Sequence, residues 1–155
     1  MNIEIKRASI KDLEDIQRLN NQLFELEYTN FDPTLKVGWP FEIEGIKYFT
    51  DILNNEAAFI ALVDNKVVAY LAGSINVQSS YTTKPCAELD NMFILEEYRN
   101  YGIGTKLINA FKAVCLEEGI EEIKVTAFAK NTNAINFYKK NGFKDFEVTL
   151  KVGLL

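Results

Sequence analysis

Arg99-Asn100-Tyr101-Gly102-Ile103-Gly104-Thr105 is the stretch on which the reading of this chain turns. The residues before it, Glu88-Leu89-Asp90-Asn91-Met92-Phe93-Ile94-Leu95, read as a strand, and those after it read as a helix to about Glu118. A glycine-bearing turn between a strand and a helix N-terminus exposes N–H groups that the helix itself cannot satisfy. Those donors and the positive end of the helix dipole point the same way, so the turn suits a phosphate or pyrophosphate. The dinucleotide pattern G-x-G-x-x-G is not completed, because Leu107 stands where the third glycine belongs, and the P-loop pattern G-x-x-x-x-G-K-[ST] is absent. What stands is Arg-x-x-Gly-x-Gly, which by itself is equally compatible with glycines that merely end a strand.

A second segment, Asn131-Thr132-Asn133-Ala134-Ile135-Asn136-Phe137-Tyr138-Lys139-Lys140-Asn141-Gly142-Phe143, lies one strand beyond that helix. It reads as a short helix. Asn131 or Asn133 caps it, Ala134, Phe137 and Tyr138 share a face, and Gly142 sits where a left-handed C-terminal residue is wanted. Tyr138 is open to two readings, a core aromatic with its hydroxyl at an edge or a phenol held over a ligand.

In this order and spacing the two segments resemble the GNAT N-acetyltransferase superfamily. That family carries an R/Q-x-x-G-x-G/A turn on the pyrophosphate of acetyl-CoA, followed further on by N-x-x-A-x-x-F/L-Y-x-K-x-G-F. Asn131, Ala134, Phe137, Tyr138, Lys140, Gly142 and Phe143 meet the second pattern, with Lys139 also basic. The resemblance spans Glu88 to Phe143 and weakens over the N-terminal third. It implies a mixed α/β fold: a mostly antiparallel sheet of six or seven strands with one splayed parallel pair, flanked by about four helices. It also implies an acetyl-CoA-dependent N-acetyltransferase, an acyltransferase that works by direct attack of an amine.

The rest of the chain agrees with that expectation. At 155 residues the size suits one domain, 1–155, with a proper core, and 48% hydrophobic with 25% charged residues is ordinary for a globular protein. No apolar run has the length to span a bilayer, and Met1-Asn2-Ile3-Glu4-Ile5-Lys6 alternates like a strand rather than a signal peptide, so no membrane partner is expected. Cys86 and Cys115 form no metal-like pair, and free thiols in a cytoplasmic setting are expected. With no histidine, Ser-His and Cys-His nucleophilic schemes and the commonest zinc ligand are gone, and no metal is expected. A net charge of −5 without a basic stripe argues against nucleic acid and favours a cationic substrate.

Periodicity organises the chain as β-α-α-β-β-β-α-β-α-β-β. Residues 3–8 read as a strand, and Ser9 with Asp12 as a capping box before a helix carrying Ile10, Leu13, Ile16, Leu19, Leu23 and Leu26. Residues 29–40 read as loop. Residues 41–54 read as a helix with Ile43, Ile46, Phe49 and Leu53 on one stripe, interrupted by Gly45. A hairpin of 57–63 and 67–77, strands 86–95 and 120–129, and one bent or two short closing strands over 144–154 complete the sheet.

The resemblance assigns roles residue by residue. Strands 86–95 and 120–129 are the parallel pair that parts at a bulge, where Met92, Phe93 and Ile94 offer backbone groups to the pantetheine arm. Arg99, Asn100, Tyr101, Gly102, Ile103, Gly104 and Thr105 take the pyrophosphate, and Asn131 and Tyr138 complete the cofactor set. Tyr138 is also the expected proton donor to the leaving thiolate. Glu88 and Asp90, at i and i+2 on one strand face, are the candidate general bases. The protein N-terminal branch often has a glutamate on its fifth strand where Thr126 stands here, which lowers the peptide reading. Acceptor choice falls to residues 24–50, where Glu25, Glu27, Asp32, Glu42 and Glu44 mingle with aromatics. That mixture fits a small cationic amine or, equally, a helix exterior with a packed cap. A protein amine, and a non-catalytic acyl-CoA module, are the alternatives. A homodimer is in keeping with the family's C-terminal strand edges.

Overall fold

Asp64 and Asn65 adopt φ of 50° and 64°, the left-handed pair that turns a tight hairpin. The strands on either side are β2 (Ala57–Val63) and β3 (Lys66–Ser74), both almost wholly buried, as unbroken apolar runs in the middle of a sheet must be. The computed structural model describes all residues, 1–155. β1 (Ile3–Arg7), β4 (Cys86–Ile94) and β5 (Glu122–Val125) complete a five-stranded sheet in the order β1-β2-β3-β4-β5. Every pairing is antiparallel except β4 with β5, which run parallel.

Both faces of the sheet are covered. α3 (Ile103–Glu117) packs on one face, its Ile103, Leu107, Ile108, Phe111 and Cys115 closing a cluster with Leu71, Ala87 and Leu89. α1 (Leu13–Asn30) and α2 (Ile43–Asn55) cover the other, where Ile16, Leu19, Phe49 and Ile52 meet Ile60, Tyr70 and Phe93. Each fully buried large side chain of this kind stabilises the fold by about 1.5–3 kcal/mol relative to exposure. α4 (Thr132–Lys140) lies at the β5 end, with Phe137, Tyr138 and Phe143 against the α3-side cluster. At the start of α1 the Asp12 carboxylate accepts from the Ser9 N–H at 2.9 Å. No helix is long and apolar enough to cross a membrane.

Three expectations are corrected. On α2 the buried face is Gly45, Phe49 and Ile52, whereas Ile43 and Ile46 are exposed. The cause is the turn Trp39–Pro40, which packs so closely that a Cβ on Gly45 would lie 2.1 Å from the Trp39 carbonyl oxygen. β5 ends at Val125 instead of reaching Ala129, and residues 126–131 form a loop. Residues 144–155 form no strand; the sheet has five strands rather than six or seven, and the closing segment is irregular and exposed.

Candidate active site

The site begins where β4 loses register. Ala72 faces Asn91 and Gly73 faces Leu89, so Asp90 is an extra residue on β4. Pairing between β4 and β5 runs from Cys86 opposite Glu122 to Leu89 opposite Val125 and stops there, while β4 continues along β3 to Ile94. The two parallel strands therefore part at Asp90. The Leu95 N–H donates to the Val68 carbonyl. Alternation along the ladder then turns the polar groups of Asn91 and Phe93 toward β3, and those of Met92 and Ile94 toward the gap. Of the three residues expected to offer backbone groups, Met92 and Ile94 face the opening and Phe93 lies between them.

At the end of β4 the chain turns into α3 through Arg99–Thr105. Asn100 and Gly102 adopt φ of 69° and 80°, and the first helical bond runs from the Lys106 N–H to the Gly102 carbonyl. The N–H groups of Asn100, Tyr101, Gly102, Ile103, Gly104 and Thr105 have no acceptor within the chain. Six consecutive unpartnered donors at a helix N-terminus, with no acidic residue in the first turn, make a cradle that could hold an anion such as a polyphosphate. Arg99 braces the turn: its Nε donates to the Ile94 carbonyl at 2.8 Å and its guanidinium lies 5.2 Å from the Phe93 ring centre.

Gly104 joins this cradle to the second motif. A Cβ there would lie 2.6 Å from Cζ of Phe137, so the missing side chain is what lets α4 seat against α3. Asn131 caps α4, its Oδ1 accepting from the Ala134 N–H at 3.2 Å. At the other end Phe143 N–H bonds the Tyr138 carbonyl and Gly142 takes φ of 95°. Tyr138 is thereby wedged between Phe137 and Phe143, edge-on to both. Its hydroxyl has no hydrogen-bond partner in the chain. Burial, with the Glu27 carboxylate adding, pushes it up to about 12, so at neutral pH it is a protonated, unengaged phenol.

The carboxylates are arranged differently from the strand pattern alone. Glu88 lies 3.9 Å from Lys124 on β5. Asp90, displaced by the bulge, points to the α1/α2 side, where Tyr48 donates to it at 2.6 Å and Ser74 at 3.1 Å. Burial lifts the Asp90 carboxyl above the usual range, against these hydrogen bonds, which pull it down. Behind Asp90 runs a directed chain: Asn20 donates to Tyr70, Tyr70 to Asn91 and Asn91 to Tyr48, which donates to Asp90. Burial holds both tyrosine hydroxyls far above the ordinary phenol range, so both remain donors. Sequence reading missed this network, since its members are scattered over α1, α2, β3 and β4.

It named Glu27 only among the acidic residues of the acceptor region and not as a candidate base. Glu27 is half-buried on α1, its carboxylate has neither a hydrogen bond nor an ion pair, and its charge helps to raise the hydroxyls of both Tyr70 and Tyr138. Burial, and secondarily Asp32, raise its carboxyl above the ordinary value. Near the end of α1, Phe31 stacks on Phe128 of the loop after β5, with ring centres 5.6 Å apart, and ties that loop to α1. The cysteines stand apart from this chemistry: Cys115 is buried in the core and raised to about 11 by burial, and burial also raises Cys86.

A strand pair parted at a bulge, a donor cradle and a facing tyrosine are now in place, and the family model described as "Acetyltransferase (GNAT) family" matches residues 16–143. The chain belongs to this family. It is 30% identical over 150 residues to an N-alpha-acetyltransferase of Sulfurisphaera tokodaii, an alignment covering 93% of this chain and 81% of that protein. Among solved structures it superposes on an aminoglycoside acetyltransferase, meta-AAC0020 from an uncultured soil sample, with a TM-score of 0.72 and 28% identity, over 99% and 97% of the two chains. The fold also matches AAC(6')-Iy in complex with a CoA bisubstrate analogue, with a TM-score of 0.78 and 20% identity, over 99% of this chain and 98% of that one. This GNAT protein is an N-acetyltransferase.

Proposed function

We propose that this GNAT protein takes the acetyl group of acetyl-CoA and passes it to a primary amine by direct attack in a ternary complex. The observation that carries the reading is the row of six unpartnered amides, Asn100 to Thr105, at the start of α3, in a chain whose β4 and β5 part at Asp90 and whose Tyr138 phenol is unengaged. Acetyl-CoA supplies the acyl group as a thioester. The amides hold its pyrophosphate, aided modestly by Arg99, and the backbone groups of Met92 with the N–H of Ile94, flanking Phe93, pair with its amide arm; the Ile94 carbonyl is taken by Arg99. Asn131 fixes α4 so that Tyr138 faces the sulfur.

The amine nitrogen forms the C–N bond as the C–S bond breaks. An N–H freed at the bulge steadies the carbonyl oxygen as it gains charge. Tyr138 gives its proton to the departing sulfur, and a carboxylate takes the proton the nitrogen loses. Three carboxylates are candidates. Glu27 is the one we favour, because it is uncommitted and burial makes it more basic than an ordinary carboxylate. Asp90 is engaged by Tyr48 and Ser74, and the charge of Glu88 is partly met by Lys124. Orientation of amine and thioester supplies much of the rate.

For the acceptor we propose a small cationic amine, drawn by Glu27, Glu88 and Asp90 around the opening. A second reading, the α-amine of a peptide, is favoured by the Sulfurisphaera relative. A panel of polyamines, aminoglycosides, amino acids and short peptides, assayed for CoA release from acetyl-CoA, decides between them. Turnover with peptides alone would select the second reading, and CoA binding without turnover on any amine would overturn both.

A further inference from the structure

β4 changes parity in the middle of the site. Ala87, Leu89, Met92 and Ile94 pack on the α3 side of the sheet, and Phe93 packs on the α1/α2 side. Between them Asp90 and Asn91 both point to the α1/α2 side, whereas consecutive residues of a regular strand face opposite ways. The apolar residues fix where parity changes, because a slip of one place would put Phe93 on the wrong face. They do not fix the backbone at the change itself, since both residues there are polar.

That backbone is held through one oxygen. The Tyr48 hydroxyl donates to the Asp90 carboxylate at 2.6 Å and accepts from the Asn91 amide at 3.1 Å, so the two residues at the bulge meet at a single atom. Its direction is fixed. The Asn91 Oδ1 accepts from the Tyr70 hydroxyl, with Asn20 behind it, so the Asn91 NH2 must face Tyr48 and the Tyr48 proton must face Asp90. The Tyr48 ring is fixed as well, edge-on to buried Phe49 at 4.8 Å and tilted against Trp39 at 5.9 Å. Ser74 ties Asp90 a second time, at 3.1 Å, and does not touch Asn91. Hydrogen bonds to a carboxylate are about twice as strong as neutral ones, which makes the shorter Tyr48 bond the principal tie.

We propose that Tyr48 is a positioning residue for acetyl transfer: by holding Asp90 and Asn91 together it keeps the N–H freed at the bulge aimed at the thioester carbonyl. This rests on the acetyl-transfer reading above. It differs from a role for Asp90 as base, because the hold acts on the backbone and asks nothing of the carboxyl proton. A donor that meets a developing oxyanion contributes about a hundred- to a thousandfold in rate. Misplacing reacting groups by about 1 Å costs about a hundredfold.

The test is Tyr48→Phe, which keeps the ring and removes the hydroxyl. Difference infrared spectroscopy reads the carbonyl stretch of acetyl-CoA, isotope-labelled at the thioester carbon, in its complex with the full chain. Turnover is read with whichever amine of the panel above the wild type acetylates fastest. Wild type should lower the carbonyl band relative to free acetyl-CoA, and Tyr48→Phe should lose most of that shift. Its kcat should fall about ten- to a hundredfold while CoA affinity stays within about threefold and the acidic limb of the pH–rate profile stays in place. Ser74→Ala should show the same pattern with a smaller loss. Ile52→Val, on the buried face of the same helix, should lower the melting temperature and leave band and kcat alone. A wild-type band and kcat in Tyr48→Phe would overturn the proposal, and so would an equal loss of kcat in Ile52→Val. An acidic limb that moves up with an undiminished plateau would also overturn it, since that is the sign of a base at Asp90 losing the hydrogen bond that holds its carboxyl down. Wild type that neither shifts the band nor acetylates any amine would remove the acetyl-transfer reading and this proposal with it, before any variant is made, so the two failures are distinguishable.

Discussion

Gly104→Ala tests the join between the two motifs. The new Cβ would fall 2.6 Å from Phe137 Cζ, 3.1 Å from its Cε1 and 3.3 Å from Ile94 Cδ1. Carbon atoms rest about 3.5–4.0 Å apart, so the ring must retreat by about 1 Å. Overpacking of this order costs about 1–3 kcal/mol, and the better helix propensity of alanine offsets up to about 1 kcal/mol of it. A net loss of about 1–2 kcal/mol corresponds to a fall in Tm of about 2–8 °C for a chain of this length. The displacement is not confined to stability, because Phe137 is followed by Tyr138 on α4, and CoA affinity and kcat should fall with it. Urea unfolding and calorimetry with CoA on wild type, Gly104→Ala, Phe137→Leu and the double variant provide the measurement. The smaller leucine gives the Cβ room, so the double variant should be more stable than the sum of the singles predicts, by at least about 1 kcal/mol. Gly102→Ala is the control: nothing lies within 4 Å of its Cβ, and its cost comes from φ of 80° alone, uncoupled to Phe137. If Gly104→Ala and Phe137→Leu add without coupling, the glycine is not there to seat α4 and the reasoning fails.

Tyr138→Phe keeps the ring and removes the proton, so kcat should drop by about a hundredfold or more while CoA affinity stays within a few-fold; unaltered kcat in a steady-state assay would make the tyrosine a packing residue. Glu27→Gln, Asp90→Asn and Glu88→Gln, made separately, should be compared across the acidic limb of the pH–rate profile, with Glu27→Gln expected to flatten it; wild-type profiles in all three would mean that the enzyme selects the neutral amine from solution. Because the native carboxyl of Asp90 is raised, its contribution to stability is present at low pH and lost as pH rises through that native value. Thermal melts should therefore show Asp90→Asn gaining on wild type between pH 4 and 7, and a constant difference would remove the burial argument. Arg99→Ala should weaken CoA binding only about five- to tenfold, the worth of a hydrogen bond or so, and a loss beyond a hundredfold would transfer the pyrophosphate from the amides to the guanidinium.

Much of the site's framework was legible because it is local. The glycines of 102–104 and the cap and aromatic spacing of 131–143 each act within one turn of chain, so the order of residues states their geometry directly. The same holds for the hairpin at Asp64-Asn65 and for the periodicity of α1 and α3. The carboxylates were not legible in this way. Glu88 and Asp90 share a face by simple alternation, but the bulge makes Asp90 an extra residue and leaves it bonded to Tyr48, a residue 42 positions away. Glu27 was legible only as one of several acidic residues in the acceptor region. What sets it apart is its partial burial and the action of its charge on Tyr70 and Tyr138, which lie on other elements.

The sequence by itself pointed to a GNAT N-acetyltransferase with a glycine-bearing turn at a helix N-terminus and a tyrosine-bearing helix. Those are properties of backbone donors and short-range spacing. Only the tertiary structure decided that Gly104 is reserved for Phe137, that Asp90 ends a buried hydrogen-bond chain from Asn20, that the Glu27 carboxylate is partly buried and unpaired, and that the alternating tail has no place in its own sheet. Alternation specifies a strand's two faces but not the strand it pairs with, since pairing joins distant segments, or separate chains, whose proximity no local spacing encodes.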